Sequence, residues 1–193
     1  MLKQLGPGFR LTLIFTILTG LIYPAVMTGV SELIFPKQAN GSLITVNGAV
    51  VGSSLIGQSF AKPEYFHPRP SAAGNGYDAT NSGGSNLGPT NQKLIDRVKG
   101  SISDFHKDNP DYAGPIPSDI LMTSASGLDP HISPAAAGAQ LARVAKARGV
   151  SEDQVNQLIA QFTQAPDLGF LGEPRVNVLM LNIALDQKFP LSK

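Results

Sequence analysis

Residues 11–35 read LTLIFTILTGLIYPAVMTGVSELIF, and Glu32 is the only Asp, Glu, Lys or Arg among them. A helix rises about 1.5 Å per residue, so this stretch reaches roughly 37 Å, against about 30 Å for the hydrocarbon layer of a bilayer. It therefore predicts a transmembrane helix, with everything after it on one side of the membrane. Lys3 and Arg10 precede the run, while Glu32 and Lys37 stand at its far end. Positive flanks are retained in the cytoplasm. The expected division is a cytoplasmic tail over residues 1–10, the span over 11–35 and an extracytoplasmic (periplasmic) domain over 36–193. A cleaved signal peptide has an apolar core of about 7–15 residues and a small-x-small site after it. This run is longer and no clean A-x-A follows it, so a retained anchor is expected. Cleavage would instead make the remainder a released binding module.

Thr12, Thr16, Gly20, Pro24 and Thr28 recur every fourth residue inside the apolar run. Residues four apart on a helix are stacked neighbours. Small and hydroxylated groups in lipid let helices approach closely and hydrogen-bond across the contact. The bland reading is that membrane helices tolerate these residues. The regular spacing favours a stripe that packs on a partner helix. Pro24 also leaves the Gly20 carbonyl without its helical donor, and Tyr23 places a hydroxyl near mid-bilayer.

The remaining 158 residues suffice for one domain with a real core. Of the fifteen Lys and Arg, thirteen follow residue 36, and so do thirteen of the fourteen Asp and Glu. That balance offers no basic excess for nucleic acid or for anionic lipid headgroups. The chain has no cysteine, which excludes thiol catalysis, cysteine-ligated zinc and iron–sulfur clusters. His67, His106 and His131 are far apart and form no H-x-x-x-H or H-E-x-x-H pair, so no metal site is expected.

The domain reads as α+β. LITV and AVVG flank Asn47-Gly48, the dipeptide of a type I′ hairpin turn. Residues 57–91 are thick with Gly, Pro, Ser and Asn, yet carry Phe60, Tyr65, Phe66, Tyr77 and Leu87. A long ordered loop is expected there. After Thr90, Leu94, Ile95, Val98, Ile102 and Phe105 share one helical face. Ser133-Pro134 starts a helix through Ala137, Leu141, Val144 and Ala145, and Gly149 stops it. Ser151 and Gln154 form a capping box for a helix with Val155, Leu158, Ile159 and Phe162 inward. Residues 176–185 predict a short strand running into a buried helix near Asn177.

Three constellations invite a chemical reading. Ser126, Asp129 and His131 sit within SASGLDPHIS (residues 124–133), the residue types of a serine hydrolase. Triad partners normally converge from separate elements, and no G-x-S-x-G elbow is present. The local reading is a turn in which Ser126 and Asp129 bond nearby amides; a further reading is a polar surface for another subunit. SGGSNLGP (residues 82–89) brackets G-x-x-x-x-G but lacks the lysine of a phosphate loop. Its Gly-Gly-Ser85-Asn86 run is at most a weak anion nest. Arg69, between Pro68 and Pro70, is a rigidly presented cation suited to a structural ion pair. No catalytic residue and no cofactor of the chain's own is expected.

LIGQSF (55–60), Tyr65-Phe66 with Arg69-Pro70-Ser71, SGGSNLGP (82–89), SASGLDPHIS (124–133) and LGEPRVNVL (171–179) together resemble the C-subunit family of the bacterial Kdp potassium-transporting P-type ATPase. They cover the domain almost end to end, and the single amino-terminal anchor fits too. The resemblance implies an accessory subunit in the inner (cytoplasmic) membrane. Its implied partners are a channel-like potassium-binding subunit, a P-type subunit that hydrolyses ATP and a small single-helix subunit. ATP and potassium are then handled by the complex. The family is described as a catalytic chaperone that raises the ATP affinity of the pump, with its soluble domain over the outer side of the channel-like subunit. An outer domain reaches ATP only indirectly, by favouring one state of the pump. Within such a complex the stripe on the anchor is expected to dock on a larger membrane subunit, and the loops bearing Arg69, Ser85, Asn86, Ser126, Asp129 and His131 to shape the external entrance. The alternative reading is a membrane-tethered serine hydrolase.

Overall fold

A computed structural model of the chain describes residues 2–191. Met1 and residues 192–193, the outer ends of the expected tail and domain, lie outside the described residues. The chain forms two compact units that divide between Val51 and Gly52.

In the first unit a short 3₁₀ turn, Leu2–Gln4, leads into α1 (Leu5–Ile17), a π turn (Leu18–Ile22) and α2 (Tyr23–Ile34). These form one helix, Leu5–Ile34, long and apolar enough to cross a membrane, with none of its apolar window buried. The helix starts six residues before the apolar run. Pro7 falls in its first turn, where a missing N–H leaves no hydrogen bond unmade. The π turn answers the problem posed by Pro24. An α-helical turn would drive the proline ring against the Gly20 carbonyl, whereas here the Tyr23 amide reaches back to Leu18 O. The Thr19 hydroxyl donates to Phe15 O at 2.7 Å, satisfying a carbonyl beside the same turn. After Phe35 come α3 (Pro36–Ala39) and the hairpin of β1 (Leu43–Val46) and β2 (Ala49–Ser53), whose last two residues fall in the second unit. Asn47 and Gly48 have φ of 51° and 82°, as a type I′ turn requires.

The second unit is α+β. α4 (Gln92–Asp108) and α5 (Ser118–Leu121) come first, followed by β3 (His131–Ile132), α6 (Pro134–Ala139) and α7 (Leu141–Arg148). Then come α8 (Glu152–Phe162), β4 (Thr163–Gln164), β5 (Arg175–Asn177) and α9 (Val178–Lys188). The three short strands make an antiparallel sheet in the order β3-β5-β4, with Ile132 and Thr163 both opposite Val176. The core lies among α6, α7, α8, α9 and this sheet. Its fully buried members include Phe66, Ile132, Val144, Val155, Leu158, Val176, Leu181 and Leu185.

Local signals place the caps. Ser133 and Asn177 each accept the amide three residues on, and Ser151 with Gln154 completes a capping box. Gly149 takes φ +64° to end α7. The helix expected to run unbroken from Pro134 to Arg148 is in fact two. It breaks at Gln140 (φ −100°, ψ −4°), a loosened turn that ends the first helix and starts the second, while its side chain turns onto the loop at His67. On α4 only Phe105 of the expected apolar face is buried; Ile95 and Ile102 stay exposed.

No helix or strand lies between Ser53 and Gln92, and buried side chains take the place of a ladder there. Asn182 accepts from the Phe66 amide at 2.9 Å and donates to its carbonyl at 3.0 Å. Gln140 does the same for His67 at 2.7 and 3.1 Å. The Arg143 guanidinium donates to the Pro63 and Tyr65 carbonyls, to Asn109 and to Gln140. Arg148 binds the carbonyls of Glu64 and Phe189 and the Asp186 carboxylate, and stacks over the Tyr65 ring at 5.0 Å.

Candidate subunit-contact site

The string at residues 124–133 is the hub on which the loops of the second unit converge. It first satisfies itself. The Ser126 hydroxyl accepts from the Leu128 amide at 3.1 Å, Ser124 from Asp129 at 3.4 Å, and the Asp129 carboxylate from the His131 amide at 3.0 Å. Gly127 sits at φ +68°, where a Cβ would meet Ala73 N at 2.6 Å and Gly83 O at 2.7 Å. Only glycine admits both neighbours.

Four segments then dock on it. The Ser71 hydroxyl donates to Gly127 O at 2.6 Å and accepts from the Ala73 and Tyr77 amides. The Tyr77 hydroxyl donates to Arg69 O, and burial pushes its pKa up to about 12. Ser82 and the Gly83 amide both donate to Ser126 O, and the Gly57 amide donates to Leu128 O. From the core side, the Val178 amide donates to Pro130 O.

At the centre, Asp129 divides its oxygens. Oδ2 takes Arg69 Nη1 at 3.0 Å, and Oδ1 lies 3.3 Å from His131 Nδ1. Burial alone would raise the Asp129 carboxyl, but the hydrogen bonds from His131 and the charge of Arg69 outweigh it, so its pKa lies below the ordinary value. Arg69 also reaches the Met122 and Thr123 carbonyls at 3.4 Å. Arg69 and Asp129 form the wall between two open cavities. One, of about 650 Å³, is lined further by Asp119, His131, Glu173 and Arg175. The other, of about 570 Å³, is lined by Leu55, Ile56, Ser124, Ser126 and Leu128.

Arg69, Ser126, Asp129 and His131 are thus brought together. Ser85 and Asn86 are not part of the network, although their loop touches it through Gly84, where an added Cβ would lie 2.9 Å from Ala125 O. Asn86 is exposed at φ +50°. Among the described residues neither side chain bonds to Arg69, Asp129 or His131. Thr12, Thr16, Gly20, Pro24 and Thr28 belong to the other unit, where all five are exposed and a Cβ at Gly20 would meet nothing within 4 Å.

The hydrolase reading required Ser126 to meet His131. Among the described residues no hydrogen bond joins His131 to either serine; Ser126 Oγ faces Ser124 Oγ at 3.4 Å and its own turn. An Asp–His contact exists, but no nucleophile is poised against it. No group of three or more metal-ligating side chains occurs among the described residues.

Sequence reasoning missed the far wall of the larger cavity. Asp119 accepts from both the amide and the hydroxyl of Ser133, so it holds the start of α6. It also missed Gln140 and Arg143. Their signal was present as polar residues on the apolar face shared with Ala137 and Val144.

Fold and site define a class: an α+β domain behind an apolar helix of membrane-spanning length, with a self-satisfied polar hub between two open cavities. Comparison with known proteins narrows that class. A family model described as KdpC, K+-transporting ATPase, c chain, matches residues 5–187. The Potassium-transporting ATPase KdpC subunit of Koribacter versatilis (strain Ellin345) is 55% identical over 192 residues, covering 99% of this chain and 98% of that one. Those of Rhodospirillum rubrum and Caulobacter vibrioides (strain NA1000 / CB15N) are 54% and 57% identical over 192 and 191 residues. The first covers 100% of both chains, the second 98% of this chain and 96% of its own. The chain belongs to the KdpC family.

Proposed function

We propose that this chain is a single-pass accessory subunit of an ATP-driven potassium importer of the bacterial inner membrane. It assembles with a channel-like potassium-binding subunit, a P-type ATP-hydrolysing subunit and a small single-helix subunit. Those partners carry the ATP and potassium chemistry. The observation that supports this most is the family match over residues 5–187, which takes in both the apolar helix and the whole loop hub. In this reading Lys3 and Arg10 hold the amino end in the cytoplasm and the domain faces outward. The stripe of Thr12, Thr16, Gly20, Pro24 and Thr28 packs on a larger membrane subunit. The loops bearing Arg69, Ser85, Asn86, Ser126, Asp129 and His131 shape the outer entrance of the channel-like subunit. The chaperone role then works by preference for one pump state, since an outer domain touches no cytoplasmic ATP.

Detergent extraction followed by pull-down on this chain tests the assembly. A P-type ATPase and a multi-helix channel-like protein should come with it. Recovery of the chain alone overturns the reading.

A further inference from the structure

Between β4 and β5 the chain makes a tight hairpin with an apolar tip. The Asp167 amide donates to Leu171 O and the Leu171 amide to Asp167 O, both at 2.9 Å. The Gly169 and Phe170 amides close the turn on Pro166 O and Asp167 O. Arg175 braces the base, its Nη2 lying 3.3 Å from both Asp167 oxygens. On this rigid support Leu168 is 83% exposed, Phe170 74% and Leu171 49%. Leu168 is held at φ +54°, a region that bulky side chains rarely occupy. Two large apolar groups are thus pre-ordered and uncovered, beside a cavity whose wall continues through Glu173, Pro174 and Arg175.

Charge selects the occupant. Elements that dip into lipid carry Lys or Arg beside their apolar residues. Residues 163–174 contain none; their charges are Asp167, paired with Arg175, and Glu173, which forms no ion pair among the described residues. A two-fold symmetric contact with a second copy of this chain would bring Glu173 against Glu173. A protein pocket with an apolar floor and a basic rim suits both features, and pre-ordered apolar anchors inside a polar rim are how interfaces concentrate affinity. Resting on the subunit reading above, we infer that the Leu168–Phe170 tip is a plug that inserts into an apolar, basic-rimmed pocket on another subunit of the same ATPase.

The full chain, co-expressed with the other subunits, tests this in native membranes. It has no cysteine, so Phe170→Cys accepts a single maleimide photocrosslinker. Irradiation should yield an adduct with another subunit of the same ATPase, identified by mass spectrometry. Its yield should exceed that from Gln157→Cys on the exposed face of α8. An adduct with lipid or with a second copy, or a yield no higher than at Gln157, overturns the inference. Leu168→Gly relaxes the backbone while removing one anchor. It should melt no lower than the parent chain yet bind its partners about tenfold more weakly, as should Phe170→Ser. Glu173→Lys should weaken binding as well. Parental affinity in all three overturns the inference while leaving the subunit reading intact; failure to recover any other subunit overturns both.

Discussion

At single residues, the second unit depends on polar side chains buried where the sequence pattern calls for apolar ones. Asn182 is enclosed in the core and spends both ends of its carboxamide on the Phe66 backbone. Asn182→Leu keeps the volume but leaves a buried N–H and a buried carbonyl unpaired. The expected loss is roughly 2–4 kcal/mol of unfolding free energy, read from urea denaturation of the full chain in detergent. His67 gives a prediction in pH. Burial lowers its pKa below 6.5, and the Arg143 charge adds to this, against the opposing Lys62 carbonyl and Asp108. The folded state therefore binds the proton more weakly than the unfolded chain does. The resulting stability is complete above about pH 6.5 and drains away as the pH falls through the lowered value. Urea midpoints should fall between pH 7 and 5, and His67→Gln should flatten that slope. A slope unchanged in His67→Gln would assign it to other groups. Asp129, also lowered, adds a loss of the same sign only below its ordinary 3.8.

At the level of elements, what was legible depended on how local the cause was. Caps and turns are settled within four residues. Asn47-Gly48, Ser133-Pro134, Ser151 with Gln154 and Gly149 therefore sit where the sequence places them. The break at Gln140 and the path of the long loop have their cause at the other end of the chain. Nothing near residue 66 announces that Asn182 will grip it, 116 positions away. The Arg69–Asp129 pair spans 60 positions, and only its members, not their pairing, were visible. The π turn belongs to the local class, since Pro24 causes it. It also bears on the proposed stripe. On an α-helix residues four apart drift by about 40°, so Thr28 would stand some 160° round from Thr12. One π turn inserts about one residue and turns the stripe back by about 100°. The five positions then stay within about 60°, on one contact face. Pro24→Ala lets the helix close to regular α geometry and splits that face, while Gly20→Leu fills it. Both should lower co-purification of the larger membrane subunits without changing expression of the chain. Full recovery with both variants would remove the stripe from the interface.

For the whole molecule, proposed topology and proposed chaperone role make a joint demand. If the domain lies outside, its influence on ATP must pass through a pump that exists in at least two states, with this chain binding one of them better. Such coupling is reciprocal: whatever factor this chain adds to nucleotide affinity, the nucleotide must add to the affinity of this chain for the pump. Direct contact with ATP predicts something different, a loss of nucleotide affinity confined to variants at the contacting residues. The decisive measurement titrates the full chain, carrying a dye on Gln157→Cys, onto the other subunits reconstituted without it, with and without a non-hydrolysable ATP analogue. Saturating analogue should tighten binding by the same factor by which the chain tightens the analogue. Coupling energies of this kind are typically about 1–3 kcal/mol, so a shift of roughly 5–150-fold is expected. Equal affinity with and without analogue, in a preparation where the chain still raises nucleotide affinity, is thermodynamically forbidden at equilibrium for indirect coupling and direct contact alike. That result would place the effect in the kinetics of the ATPase cycle. A reporter placed after residue 193 supplies the remaining arm. Activity on the outer side keeps the coupling indirect, whereas cytosolic activity reverses the topology and puts the Arg69–Asp129 hub on the same side as the nucleotide.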